Sequence, residues 1–105
     1  MVTNTDDKQV SVDEGKDAFL VCITIGNPEQ SITWYTEDGD EIVDGDRKTI
    51  SEVILGSGEV NGTTKQSTLG IVGVLPLEDY GDYRCKASNI VGFSEHIIAL
   101  SGLGE

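Results

Sequence analysis

The chain has 105 residues, enough for one domain and too few for two cores. Its 19 acidic against 7 basic side chains give a formal charge of −12. That argues against DNA, RNA or heparin-like partners, whose binding needs Lys and Arg to neutralise phosphate or sulfate. No apolar run is long enough to span a bilayer, so membrane insertion by this stretch is not expected.

Met1 leads into polar Thr3, Asn4, Thr5, Asp6 and Asp7, which is no signal peptide, and the chain reads as a fragment of a longer protein. No stretch holds a helical period; short β-rich segments alternate with turn residues instead. Strands are predicted at Gln9–Val12 and Ala18–Thr24, split by Asp13-Glu14-Gly15, and Asn27-Pro28 ends the second. Ser31–Thr36 and the short Glu41–Val43 follow around the turn Glu37-Asp38-Gly39-Asp40, and Asp44-Gly45-Asp46 breaks the chain before Lys48–Leu55. Gly56-Ser57-Gly58 and Asn61-Gly62 mark a loop or hairpin tip, because both Asn and Gly tolerate positive φ. Ser67–Val74 is the next strand, then a corner over Pro76–Gly81, then Asp82–Ser88, a tight turn at Asn89–Gly92, and Phe93–Leu100. Eight or nine short strands in such a chain suggest an all-β sandwich or a small barrel. One domain over 1–100 is expected, with residues 101–105 as the start of a linker.

Cys22 lies in the second strand, Trp34 follows twelve residues later, and Cys85 comes near the end of the penultimate strand. Before the second cysteine stands Asp79-Tyr80-Gly81-Asp82-Tyr83-Arg84-Cys85. With Val12-Asp13-Glu14-Gly15, Leu20, Ile32-Thr33-Trp34-Tyr35, Leu69-x-Ile71-x-x-Val74 and Ala87-Ser88-Asn89-x-x-Gly92, the chain resembles the immunoglobulin superfamily from about Val10 to Leu100. Within it, the chain is similar to the intermediate set common in adhesion molecules, receptors and muscle proteins. The resemblance implies an all-β, two-sheet immunoglobulin-like β-sandwich with one inter-sheet disulfide, Cys22–Cys85, against which Trp34 packs. It also implies Leu20, Leu69 and Ile71 in the core, a tyrosine corner at Tyr83 and a salt bridge between Arg47 and Asp79. Two departures stand out: the stretch from Arg47 to Leu69 is long for the family, and one extra residue separates Val74 from Asp79.

The family's sheet assignment and strand alternation then place side chains on faces. Phe19, Val21, Ile23 and Val72 point outward from one sheet and form a candidate partner face, since exposed apolar patches mark contact sites. Tyr35, Arg84 and Lys86 point outward from the other sheet and form an alternative face, because Tyr and Arg are enriched at interface hot spots.

The residues offer little for catalysis. Both cysteines belong to the implied framework, no Gly-x-Ser-x-Gly elbow occurs, and His96, the single histidine, sits in a predicted strand. Zinc lacks Cys/His clusters, Gly56-Ser57-Gly58 lacks the residues of a phosphate loop, and the run Glu37 to Asp46 lacks calcium-loop spacing. No enzyme and no cofactor are therefore expected. Asn61-Gly62-Thr63 is an N-glycosylation acceptor as well as a turn signal. The expected function is a non-catalytic protein-binding or adhesion module of a multidomain cell-surface or secreted protein, meeting itself or another cell-surface protein. The alternative is a structural spacer domain of an intracellular cytoskeletal or muscle protein, with both cysteines reduced.

Overall fold

The computed structural model describes residues 2–5, 9–45, 47–58 and 62–102. The elements there are β1 (Val2–Thr5), β2 (Gln9–Ser11), β3 (Ala18–Gly26), β4 (Ser31–Tyr35), β5 (Glu41–Ile42), β6 (Lys48–Gly58), β7 (Gly62–Ile71), α1 (Pro76–Asp79), β8 (Gly81–Ser88) and β9 (Phe93–Ser101). They build a four-stranded sheet ordered β1-β3-β7-β6 and a five-stranded sheet ordered β2-β9-β8-β4-β5. Among the described residues both sheets keep open edges, as in a sandwich and not a closed barrel. β2 runs parallel to β9; the other pairings are antiparallel.

Alternation of side chains makes the core. Along β3, Ala18, Leu20, Cys22 and Thr24 are buried while Phe19, Val21, Ile23 and Ile25 stand on the other face. β8 contributes Tyr83, Cys85 and Ala87 in the same rhythm, and Trp34, Leu69, Ile71, Val74, Ile98 and Leu100 fill the space between. Each large apolar side chain buried this way is worth about 1.5–3 kcal/mol relative to exposure. The Cys22–Cys85 disulfide ties β3 of one sheet to β8 of the other, with Cα atoms 6.5 Å apart.

Several features differ from the sequence reading. Before Gln9 no strand was expected, because Thr3-Asn4-Thr5 carries no apolar alternation; yet β1 pairs with β3 from Val2↔Gly26 to Thr5↔Ile23. The backbone groups on that side of β3 need partners whatever the side chains of the pairing segment. The chain then switches sheets, and β2 adds to β9.

Of the two alternatives, loop or hairpin, the strands expected at Lys48–Leu55 and Ser67–Val74 form the hairpin, but a longer one than expected: β6 and β7 pair from Lys48↔Ile71 to Gly58↔Gly62. Gly56-Ser57-Gly58 is strand and not loop, since the ladder to β7 supplies what side-chain propensity does not. This hairpin absorbs the extra length between Arg47 and Leu69, and the register shifts between Ile54 and Gly56, leaving Leu55 as a bulge. β7 stops at Ile71 and not at Val74, because Gly73 turns at φ 62° and Val74 bonds to the backbone of Gly15 and Lys16.

The corner over Pro76–Gly81 contains a helical turn, with proline at its start where a missing N–H costs nothing. Finally, β9 runs through Ser101, which pairs with Ser11, one residue into the stretch read as linker.

Candidate functional site

The lower end of the sandwich is held by a charged corner. Tyr83, in β8, donates its hydroxyl to the Asp79 carbonyl at 2.5 Å. The Asp79 side chain is fully buried; its carboxylate pairs with the Arg47 guanidinium, accepts the Leu75 N–H at 2.7 Å, and has Lys48 Nζ at 3.5 Å. Burial by itself would raise that carboxyl, but the Leu75 N–H, Arg47 and Lys48 hold it below the ordinary carboxylate range. Arg47 also donates to the Gly73 carbonyl, so one side chain joins the start of β6 to the turn after β7. Burial pushes the Tyr83 hydroxyl up to about 12, with the negative Asp79 adding to the effect.

Trp34 is fully buried between the sheets, and its indole N–H donates to Ser67 Oγ at 2.9 Å. Above it the interior becomes polar. Gln30 donates to Thr24 Oγ1 and to the Thr63 carbonyl, and Lys65, nearly buried, donates to the Gln30 carbonyl. Glu29 and Glu52 lie 2.7 and 3.3 Å from Lys65 Nζ. Desolvation opposes the Lys65 charge, but these two carboxylates outweigh it and raise its pKa. The alternation alone did not mark Lys65 as buried, since a lysine in a strand is ordinarily solvated.

The outer face of the four-stranded sheet carries Phe19, Val21 and Ile23, with Ile25 continuing the row. Phe19 is 61% exposed and its ring packs on Gly70 of β7, where a side chain would meet the ring at 3.4 Å. Gly70 is therefore covered, while Val72 beyond the strand end is exposed. Val53 of β6 stands on the same face and is also exposed.

The outer face of the five-stranded sheet carries Tyr35, Arg84 and Lys86, all half-buried. Arg84 lies 3.6 Å from Glu95, and Lys86 Nζ sits 4.7 Å from the Phe93 ring centroid. Phe93 and Ile97, exposed on β9, complete this face. They were not singled out from sequence, although their odd positions opposite inward Ile98 and Leu100 carried the signal.

Asn61 lies outside the described residues, as does Asp46 of the acidic run. Among the described residues no three His, Cys, Asp or Glu side chains are grouped to hold a metal, and no helix is long and apolar enough to cross a membrane. A shallow depression of about 210 Å³ lies at the lower end between Thr36, Glu37, Leu77, Tyr80 and Asp82. Glu37 there accepts the Asp82 N–H at 2.9 Å, which fixes the turn after β4 against β8.

This geometry offers two sheet faces on a disulfide-bonded frame. The family model for the immunoglobulin I-set domain matches residues 1–101. Cell adhesion molecule Dscam1 of Drosophila melanogaster is 32% identical over 97 residues, covering 92% of this chain and 4% of that protein. Among solved structures, the complex of Dpr2 Ig1-Ig2 with DIP-Theta Ig1-Ig3 superposes with a TM-score of 0.80 at 24% identity, covering 98% of this chain and 32% of the matched one. Domains A168-A169 of titin superpose with a TM-score of 0.78 at 25% identity, covering 96% of this chain and 47% of the matched one. The chain spans less than half the length of each of these three matches, and it is a member of the immunoglobulin I-set domain family.

Proposed function

We propose that the domain is an extracellular protein-binding module of a multidomain adhesion molecule or receptor, and that it meets its partner with the outer face of the four-stranded sheet. The observation that carries this reading is the apolar row Phe19, Val21, Ile23 and Ile25 on β3, with Phe19 61% exposed and Val72 beside it. A solvated sheet face ordinarily alternates to polar residues on its outer side. The disulfide frame supports the extracellular reading, because such bonds persist in oxidising compartments. The likeness to Dscam1 supports an adhesive role.

The mechanism is presentation of a rigid surface. Phe19 packed on Gly70 is held in place before contact, so less side-chain entropy is lost on binding. The opposite face is a weaker candidate, because Arg84 and Lys86 already interact with Glu95 and Phe93 of the same face.

The test is adhesion of beads coated with the oxidised domain, to one another and to cells. Adhesion lost in Phe19→Glu and kept in Arg84→Glu supports the reading. Adhesion lost only in Arg84→Glu moves the site to the other sheet, and beads that never adhere refute a binding role for this domain. The likeness to titin domains favours a second reading, a spacer domain. Free thiols at Cys22 and Cys85 in the native source would select it.

A further inference from the structure

β6 is the free edge of the four-stranded sheet, and every residue from Ser51 to Ser57 is exposed. The direction of its unpaired backbone groups can be read from two bonds. The Ile50 N–H donates to Asp44 Oδ1 at 2.6 Å, and the Lys48 carbonyl accepts the Gly45 N–H at 2.8 Å. Even-numbered residues therefore direct both backbone groups away from β7, since successive residues alternate. Segment 44–45 covers this edge at Lys48 and Ile50, and the bulge at Leu55 interrupts the ladder at the other end. Between them, Glu52 and Ile54 direct N–H and C=O outward, with no strand paired on that side among the described residues.

From this window we infer an interaction surface for a second copy of the chain, joined edge to edge through antiparallel β6 strands. Two open residues at i and i+2 are self-complementary about the residue between them. With the dyad at Val53, Glu52 of each copy exchanges both backbone bonds with Ile54 of the other, four hydrogen bonds in all. Val53 then faces its own symmetry mate as a non-hydrogen-bonded pair, with Cα atoms about 4.5 Å apart.

Chemistry in the window suits this occupant. Val53, Ile54 and Leu55 are 53%, 54% and 53% exposed, an apolar run of the kind that natural edges usually guard with charge. Glu52, the charge in the window, is directed to the inner side and lies 3.3 Å from Lys65 Nζ, a cation it shares with Glu29, so repulsion between two edges is reduced and not removed. Past the window, residues 56–58 of one copy lie opposite Ile50–Lys48 of the other, where segment 44–45 already occupies the edge, so pairing is confined to Glu52 and Ile54. The area at stake is far below the roughly 800 Å² per partner of a stable complex, so the contact is weak and acts through multivalent display on a surface.

The experiment is oxidative cross-linking of the otherwise disulfide-intact domain carrying Val53→Cys, with Ser51→Cys as control. Both sites are exposed on the outer face, but only residue 53 meets itself across the dyad, at a separation a disulfide can bridge. The expected result is covalent dimer forming at least about tenfold faster for Val53→Cys. Adding Ile54→Pro removes one outward donor without touching the ladder to β7, and is expected to return the rate to the control. Equal rates for the two cysteines, or a fast rate that survives Ile54→Pro, overturn the proposal. Phe19→Glu leaves the cross-linking unchanged, so failure of the sheet-face reading and failure of the edge are separable.

Discussion

Tyr83 donates its hydroxyl to the carbonyl of Asp79 at 2.5 Å while the carboxylate of the same Asp79 takes Arg47 and the Leu75 N–H. One buried aspartate therefore locks β8, the helical turn α1 and the start of β6 together. The lower end of the sandwich depends on its charge state.

Acid should open that corner first. The folded-state pKa of Asp79 is depressed, so its stabilisation is present above the unfolded value of about 3.9 and is lost as pH falls through the folded value. Urea midpoints measured from pH 7 down to pH 2 should decline below about pH 4. In Asp79→Asn the decline should flatten, from a lower starting stability; an unchanged profile would show that other carboxylates control acid unfolding.

Alkali acts on the same bond from the other side. The Tyr83 hydroxyl is raised to about 12, so its contribution is complete below the unfolded value of about 10 and vanishes as pH rises towards 12. Tyrosinate absorbance should therefore include a late step near pH 12 from Tyr83. Tyr83→Phe should remove that late step.

Ser67→Ala leaves the buried Trp34 N–H without its 2.9 Å partner, and should cost about 1–3 kcal/mol in urea unfolding. Thr68→Ala, one residue along on the outer face, should change stability by less than about 0.5 kcal/mol. Similar losses for both would assign the effect to strand propensity.

Gly62 has φ 83°, and a Cβ there would sit 2.5 Å from the Gly26 carbonyl oxygen and 3.0 Å from Asn27 Cβ. Gly62→Ala should therefore cost about 1–3 kcal/mol through backbone strain alone. Equilibrium unfolding checks it, with Gly56→Ala, where the added atom meets nothing within 4 Å, as the tolerated control.

Reducing Cys22–Cys85 should remove about 4 kcal/mol, the chain-entropy value for a loop closing 63 residues of separation. Urea curves with and without reductant measure it. A loss below about 1 kcal/mol would mean that packing around Trp34 carries the inter-sheet contact and that the domain suits a reducing compartment as well.

The sequence by itself determined the inward-facing half of the molecule. The Cys…Trp…Cys resemblance implied Cys22, Trp34, Tyr83 and Cys85 in the interior, and with the sheets so assigned the alternation of apolar residues placed Leu20, Leu69 and Ile71 beside them. Asp79 and Arg47 were legible only through family resemblance, since nothing local distinguishes a buried aspartate from a solvated one. Only the tertiary structure decided the rest. β1 exists because β3 has an edge to satisfy, and Gly56-Ser57-Gly58 is extended because β7 lies beside it. Lys65 is buried because Glu29 and Glu52 arrive from a loop and a neighbouring strand, and Glu52 and Ile54 are open because segment 44–45 stops covering the edge two residues earlier. Backbone pairing and charge compensation depend on which segment is adjacent in space, and side-chain identity along one strand does not encode that.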